Sequence, residues 1–270
     1  MVGRIDDSLK EQRGKFYNEM FTSESYASES LAQSWRQSLL AFVRSHRLEG
    51  KRVLDVGCGR GWFQDLVEYW FGLDISPAAG ELVQHRNFIC GSAEGMPFED
   101  SCFDAVWSIT FLEHSPDPGG ALEEMSRVLA KGGVLYLGPA WRVPPWRPKG
   151  YEVKRFDQLD AVGKFVKLIL PLLNLVWTKA IFWVPRRVVR ELSWAFTKRP
   201  TDLLYTAFVP NYDQFLLPDS DACSSLDNHE VLIWFLSRGF VQSKPTAWFD
   251  RILLRSGPLI LTKCASTKLV

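Results

Sequence analysis

Apolar positions along the chain follow two different periods, and the change of period marks the order of the elements. Between residues 51 and 141, five short apolar runs occur: VLDVG, FGLDI, NFICG, FDAVWS and GVLYLG. Each has the length and the continuous apolar character of a strand that is buried on both faces. Before the last run, GGALEEMSRVLAKGG has helical spacing, which predicts a helix that follows Asp117 and Pro118 and is capped by the glycine pair 132–133. This alternation predicts an α/β fold with a parallel sheet covered on both faces.

Residues 5–48 have the spacing of helices, and Gly50 ends the run. Five apolar residues recur every three or four positions: Leu31, Trp35, Leu39, Phe42 and Val43. We expect this leading segment to be helical and to pack on the sheet.

Residues 142–230 do not continue the alternation. The segment opens with RVPPWRPKG, whose prolines predict a stiff extended connection, and enters FVKLILPLLNLVWTKAIFWV at 165–184. The run is as long as a membrane span, but a central lysine costs about 2.5 to 3.5 kcal/mol on insertion scales. It contains four residues that disfavour a span: Lys167, Pro171, Asn174 and Lys179. We predict instead a helix pair, interfacial or packed in the core, that is broken near Pro171.

The last part of the chain returns to regular patterns. HEVLIWFLSRGF predicts a helix that ends at Gly239, and strands are expected around 241–247 and 258–264. The predicted division therefore has four parts, which are leading helices, an α/β core, a helical insertion and a terminal helix with two strands. Their bounds are 1–50, 51–141, 142–230 and 231–270.

The most informative stretch is VLDVGCGRG at residues 53–61, where a buried strand runs into glycines at 57, 59 and 61. Residues without Cβ adopt positive φ and let the backbone approach a ligand closely, so this loop predicts a binding site. We expect a helix to follow, since Trp62, Phe63, Leu66 and Val67 have helical spacing. Asp74 ends the second strand, where doubly wound folds bind ribose hydroxyls.

The glycine spacing separates two classes of cofactor. A dinucleotide fingerprint, GxGxxG, requires a third glycine where Trp62 stands, which disfavours a nicotinamide oxidoreductase. The pattern from Asp55 to Gly61, D-x-G-x-G-x-G, instead resembles the first motif of class I methyltransferases that use S-adenosylmethionine. The resemblance continues through GLDIS, GSAEGMPFEDSCFDAVWS, FLEH and GGVLYLGPAW, and it covers roughly residues 50–141. It is strongest for the small-molecule, type 11-like branch.

The resemblance implies a fold and a cofactor site. The fold is a doubly wound, Rossmann-like sheet of seven strands in the order 3-2-1-4-5-7-6, with the mostly helical insertion before the last strands. The implied S-adenosylmethionine contacts, from the methionine moiety through the ribose to the adenine, are Asp55, Gly57, Cys58, Gly59, Gly61, Asp74, Ile75, Ser92, Ala93 and Glu94.

Two features of this implied site stay open at this point. Ser92 stands where the family often has Asp, and Glu94 either compensates for it or is a solvated carboxylate. Leading helices cover the pocket in this family, so Phe16 or Tyr17 either contacts the cofactor or packs in the core.

Methyl transfer to an oxygen needs no metal, and the sequence shows no metal site. A base that removes the acceptor's proton would contribute about 10²- to 10⁴-fold. His114, just past the fourth strand, is the candidate base. Its alternative is a hydrogen bond to its own loop or to the methionine end of the cofactor. Glu113 is the weaker candidate, and its alternative is to orient His114 or a nearby amide.

The predicted function is methyl transfer, most plausibly to an oxygen of a small molecule or a glycan. The second hypothesis is a methyltransferase-like protein that binds without catalysis. The stretch at 219–240 also faintly resembles bacterial methyltransferases of surface-glycan assembly, which favours a lipid-linked acceptor.

Composition narrows the partners and the compartment. A net charge of +1 disfavours nucleic acid as a partner, and the five cysteines show neither CxxC pairs nor a disulfide framework. The N-terminus has charges where a signal peptide needs an apolar core, so the expected location is cytoplasmic, with membrane-peripheral contact as the alternative.

Charge is divided sharply along the insertion. Residues 152–199 contain ten basic and four acidic residues, whereas 200–230 contain six acidic residues and no Lys or Arg. One reading is that the two halves pair as a helical cap over the active site. The other is that 160–200 rests on an anionic membrane through its basic residues, among them Arg186 and Arg187, and its tryptophans. These tryptophans are Trp177, Trp183 and Trp194.

Overall fold

The computed structural model describes residues 7–22, 29–83, 87–197, 199–212, 219–243, 247–253 and 257–265, with only the backbone for 7–10, 29–32 and 176–179. Lys198 and Asp213, and the side chains of Leu31, Trp177 and Lys179, lie outside these described parts. The chain divides into two compact units. The first comprises 1–112, 117–139 and 260–265, and the second 113–116, 140–259 and 266–270.

The first unit begins with the predicted leading helices, α1 (Asp7–Thr22) and α2 (Glu29–His46). Leu39, Phe42 and Val43 of α2 are buried and share one apolar core with Trp107 and Tyr136 of the sheet. The apolar spacing of the leading segment is therefore the spacing of a helix face that packs on a sheet.

Five parallel strands follow in the first unit, and they coincide with the five apolar runs. They are β1 (Arg52–Val56), β2 (Tyr69–Asp74), β3 (Phe88–Cys90), β4 (Phe103–Ile109) and β5 (Leu129–Gly138). The register pairs Val56 with Leu73 and Asp74 with Cys90. The carboxyl ends of β1, β2 and β3 therefore meet at one edge of the sheet.

The sheet has seven strands in the order β3-β2-β1-β4-β5-β9-β8. Its last two strands are β8 (Phe240–Gln242) and β9 (Leu259–Lys263). Counted within the sheet alone, this is the predicted order 3-2-1-4-5-7-6. The labels differ because two extra strands, β6 (Tyr205–Ala207) and β7 (Ser224–Leu226), form a separate antiparallel pair.

The helix predicted directly after the glycine loop is wrong. Only one 3₁₀ turn, Gln64–Leu66, lies between the loop and β2. Seven residues separate Gly61 from Tyr69, which leaves no room for an α-helix and its connections. Phe63 and Val67 are buried in the core without forming a helix face.

The glycine cap predicted for the following helix is also wrong. Helix α4 (Pro118–Val128) starts as predicted, with the Asp117 side chain accepting a hydrogen bond from the Gly120 amide, but it ends before the glycine pair. Gly132 and Gly133 lie inside β5, where the pairing with β4 shifts register. A Cβ on Gly133 would lie 2.8 Å from the Asp104 carbonyl oxygen, so glycine is needed for this close strand contact.

The second unit contains the predicted helix pair, α5 (Ala161–Leu173) and α6 (Val176–Thr197). The break falls at Asn174 and Leu175, three residues beyond Pro171, which remains inside α5. Helix α7 (Asn228–Leu236) is followed by Gly239 at φ +82°, as predicted, and α8 (Trp248–Ile252) was not predicted. Among the described helices, none combines the length and the apolar content that a membrane crossing requires.

Ion pairs join the basic and acidic halves of this unit. Arg187, only 2% exposed, donates from Nη2 to Asp227 Oδ1 (2.6 Å) and to Asn228 Oδ1 (2.7 Å). Arg190 Nε lies 2.9 Å from Glu230 Oε2. These contacts favour the interpretation in which the basic and acidic halves of the insertion pair with each other. Because Arg187 is buried, it is not available to a membrane.

Candidate functional site

The glycine loop has the backbone geometry of a cradle. Gly57, Gly59 and Gly61 have φ values of +72°, +49° and +66°. The Gly57 amide donates to the Leu73 carbonyl (2.8 Å), which anchors the start of the loop to β2. A Cβ on Gly57 would lie 2.5 Å from the Phe111 ring, so any side chain there would clash with this ring.

Asp74 organises the loop from the neighbouring strand. Its carboxylate accepts hydrogen bonds from the Gly59 amide (2.9 Å) and the Ser76 amide (3.0 Å). Burial raises the pKa of Asp74, while these two amide hydrogen bonds oppose the shift. Two carboxylate oxygens offer about four acceptor sites, so acceptor capacity remains for ribose hydroxyls.

Asp55 and Cys58 lie beneath the loop. Asp55 is 2% exposed and accepts a hydrogen bond from Trp70 Nε1 (3.3 Å), and burial raises its pKa to about 7. Cys58 is buried, and its amide donates to the Leu73 carbonyl (3.1 Å). These contacts support the loop's conformation from below.

The predicted adenine end lies just past β3. Ser92 Oγ donates to the Glu94 carboxylate, which also accepts a hydrogen bond from Arg13 Nη1 (3.2 Å). Glu94 is therefore part of a hydrogen-bonded cluster and not a solvated loop carboxylate. Ala93 is buried beside it, and Ile75 accepts a weak contact from Cys90 Sγ (3.5 Å) through its carbonyl.

Helix α1 supplies three polar or aromatic contacts that the sequence patterns did not reveal. Arg13 reaches Glu94, and Asn18 Oδ1 accepts from Ser76 Oγ (2.6 Å). The Phe21 ring lies 3.2 Å from where a Cβ on Gly59 would stand. Phe16 and Tyr17, the predicted covering aromatics, are buried and contact each other edge to face (5.2 Å). The spacing of Arg13 and Asn18 along α1 did not indicate that these two side chains reach the ends of the strands.

This set of groups fits S-adenosylmethionine. The three positive-φ glycines shape the loop backbone into a cradle, the Asp74 carboxylate suits ribose hydroxyls, and Ser92 with Glu94 offers acceptors for an adenine amino group. All ten predicted cofactor residues belong to the first unit.

The two predicted catalytic residues belong to the second unit. His114 Nδ1 lies 3.1 Å from Asp221 Oδ2, and His114 Nε2 lies 3.9 Å from Glu113 Oε1. Glu113 is completely buried and accepts a hydrogen bond from the Ala140 amide (2.9 Å). Glu113 and His114 are consecutive in the sequence, and Asp219 and Asp221 join them from a distant part of the chain.

The acidic surroundings determine the protonation of this cluster. Burial opposes a charge on His114, but the Asp221 carboxylate outweighs it and raises the pKa of His114 to about 10. A histidine with this pKa is protonated at neutral pH, which speaks against its predicted role as a base there. Burial raises the pKa of Glu113 to about 7.

A cavity of about 460 Å³ adjoins this cluster within the second unit. Asp219 belongs to both, and Arg142, Arg147, Glu152 and Asn174 line the cavity. Its volume is that of a small-molecule pocket.

Comparison with known proteins agrees with the geometry of the first unit. Residues 54–137 match the family described as "Methyltransferase domain". The chain is 35% identical over 137 residues to phthiotriol/phenolphthiotriol dimycocerosates methyltransferase 1 of Mycobacterium ulcerans, covering 44% of this chain and 51% of that protein. It is 31% identical over 176 residues to fatty-acid O-methyltransferase of Mycolicibacterium smegmatis, covering 54% and 64%. The chain thus spans less than two thirds of the length of these curated relatives.

Solved structures resemble the chain more distantly. The YcgJ protein of Bacillus subtilis is 17% identical, with a TM-score of 0.44 over 81% of this chain and 76% of that one. Magnesium protoporphyrin IX methyltransferase of Synechocystis, solved with S-adenosylmethionine, is 18% identical, with a TM-score of 0.40 over 51% and 77%.

The strand order of the sheet, the glycine loop and the match over residues 54–137 are those of a class I methyltransferase domain. Within that class, the matched residues are similar to the type 11 branch, and the cofactor of the class is S-adenosylmethionine.

Proposed function

We propose that the protein transfers the methyl group of S-adenosylmethionine to an oxygen atom of a small-molecule or lipid-linked acceptor. The observation that carries this proposal is the glycine loop held by Asp74, in which three positive-φ glycines and a strand-end carboxylate make one cradle.

The chemistry requires positioning above all. When bound, S-adenosylmethionine would supply an activated methyl carbon, whose transfer would break its bond to sulfur, form a bond to the acceptor oxygen and release the acceptor's proton to a base or to water. The loop amides, Asp74 and the Ser92–Glu94–Arg13 cluster orient the cofactor, and such orientation is the main source of rate in a displacement of this kind.

Oxygen is favoured as the acceptor atom by the names of the relatives. They include a fatty-acid O-methyltransferase and a 27-O-demethylrifamycin SV methyltransferase from Amycolatopsis mediterranei. The name of the first gives a fatty acid as its substrate, and the methyltransferase of Mycobacterium ulcerans is named for phthiotriol dimycocerosates. A lipid-linked acceptor would be reached from a membrane surface.

The exposed faces of α5 and α6 support contact with an anionic membrane surface. Along α5, apolar side chains at helical spacing are more than half exposed: Val162, Phe165, Leu168 and Leu172. Four more on α6 are also strongly exposed: Ile181, Phe182, Val189 and Phe196. Contiguous apolar faces of this size mark interaction sites, and an amphipathic helix pair with exposed Arg186 suits a headgroup boundary.

Two measurements test the catalytic proposal. Calorimetry with S-adenosylmethionine is expected to show binding to the full chain. Transfer of a radiolabelled methyl group is then expected with at least one member of a panel of fatty acids, hydroxylated lipids and glycans. Binding without transfer across the panel would favour the non-catalytic alternative, and failure to bind would overturn the cofactor assignment.

A further inference from the structure

The strongest unassigned feature is the cluster of metal-type ligands in the second unit. One atom each from Glu113, His114 and Asp219 lie within 4.8 Å of one another. A first-row divalent metal ion binds nitrogen and oxygen ligands at about 2.0 to 2.2 Å. Two atoms bound to one ion lie no more than about 4.4 Å apart, so atoms within 4.8 Å of one another need to approach by only about half an ångström.

Glu113 provides an independent observation. Its side chain is completely buried, and its Oε1 accepts the Ala140 amide hydrogen bond. Within the described part of the chain, its Oε2 has no hydrogen-bond partner. Leaving a buried carboxylate oxygen unpaired is costly, and a bound cation would satisfy it.

His114 is oriented as a ligand. Asp221 Oδ2 lies 3.1 Å from Nδ1, and Glu113 Oε1 lies 3.9 Å from Nε2. Histidines that bind metals commonly have a carboxylate partner on the other ring nitrogen, which fixes the tautomer. Asp221 would therefore position the ring without touching the ion.

Two backbone hydrogen bonds hold the cluster together. The Cys223 amide donates to the Glu113 carbonyl (2.8 Å), and the Ala222 amide donates to the Asp219 carbonyl (3.2 Å). The segments that carry the ligands are thus joined before any ion binds.

The charge balance also favours a dication. Glu113, Asp219 and Asp221 are three carboxyl groups around one imidazole, and Arg147 pairs with Asp219. A divalent ion would displace the proton from His114 on binding, and the carboxyl groups of the cluster would match its charge.

We propose that Glu113, His114 and Asp219 bind a divalent transition-metal ion, with Mn²⁺ as a fitting example of an ion for one imidazole and two carboxylates. The proposal concerns ion binding in the second unit and does not depend on methyl transfer.

The test uses the full chain after treatment with a chelator and dialysis, without cofactor. Free Mn²⁺ is followed by electron paramagnetic resonance during titration. We expect about one ion to bind per chain, with Mg²⁺ competing only weakly because imidazole is a poor ligand for it. Absence of Mn²⁺ binding to the wild-type chain would overturn the proposal, whatever the variants show.

Three variants locate the ion. Glu113→Gln and Asp219→Asn preserve side-chain shape, and each is expected to weaken Mn²⁺ binding about tenfold or more. The matched control is Asp157→Asn, which removes an exposed carboxylate of the second unit that pairs with Arg155 and belongs to neither the cluster nor the cavity, and is expected to leave binding within about twofold. Circular dichroism checks that each variant is folded. Equal binding by all three would place the ion elsewhere and overturn the assignment.

Discussion

Single residues at the strand ends determine whether the cofactor is held, and Asp74 is the sharpest case. Its carboxylate fixes Gly59 and Ser76 through their amides. We predict that Asp74→Ala weakens S-adenosylmethionine binding by about 1.5 to 3 kcal/mol, the range for hydrogen bonds to charged groups. Calorimetry measures the dissociation constant of S-adenosylmethionine for each variant. The control is Asp65→Ala, an exposed carboxylate that pairs with Arg36, and equal dissociation constants for both variants would refute the placement.

Gly59 tests the loop itself. At φ +49° and with the Phe21 ring 3.2 Å from a would-be Cβ, this position rejects β-branched side chains. Gly59→Val is expected to abolish cofactor binding while the far-ultraviolet circular dichroism stays that of a folded chain. Gly95→Val is the control, since a Cβ there meets nothing within 4 Å among the described residues. Retained affinity in Gly59→Val would show that the loop is only a tight corner.

The predicted cofactor residues could be placed near one another from the sequence because they follow at short, fixed spacing along β1, β2 and β3. Arg13 and Asn18 could not. They lie in α1, 81 and 58 residues away from their partners Glu94 and Ser76, and no local spacing records such a contact. The same holds for Asp221, which reaches His114 only through the fold.

Among the secondary-structure elements, the strands could be predicted from the sequence more accurately than the ends of the helices. Buried parallel strands are continuous apolar runs, and all five were found. The prediction of a helix after Gly61 was wrong because the spacing of apolar residues does not take into account how soon β2 begins. The sequence predicts that Gly133 caps a helix, whereas in the structure it allows a close contact between β5 and the neighbouring strand. Short exposed elements such as α8 have too few residues to produce a pattern.

Helix α6 is held by a buried ion-pair network, which leads to a prediction about stability. Besides Asp227 and Asn228, Arg187 donates to the Ile252 carbonyl (2.8 Å) and lies 4.3 Å from the Trp183 ring centre. Removing one partner of a buried pair costs about 3 to 5 kcal/mol, so Arg187→Ala should lower the free energy of unfolding by that amount.

Urea denaturation measures the effect, and the neighbouring residue provides the control. Arg186 is exposed, and Arg186→Ala should change stability by no more than about 0.5 kcal/mol. Equal effects of the two substitutions would contradict the role of the network.

For the molecule as a whole, the proposed membrane contact is made by the exposed apolar faces of α5 and α6. Arg187→Glu cannot test this, because it would disrupt the buried network. The contact is better tested through Phe165, which is 62% exposed. Burying a phenylalanine contributes about 1.5 to 3 kcal/mol. Phe165→Asp should therefore weaken binding to vesicles that contain anionic lipid about tenfold or more.

Arg186→Glu tests the electrostatic part of the same contact. It should weaken binding to anionic vesicles by less than Phe165→Asp does, roughly 1 kcal/mol, and added salt should reduce the difference from the wild-type chain. Val209→Asp is the matched control, since Val209 is 87% exposed but lies outside α5 and α6. Co-sedimentation with anionic and with neutral vesicles measures all three variants. If the wild-type chain ignored both kinds of vesicle, membrane contact would be refuted, and the paired halves of the insertion would have to be explained by packing alone.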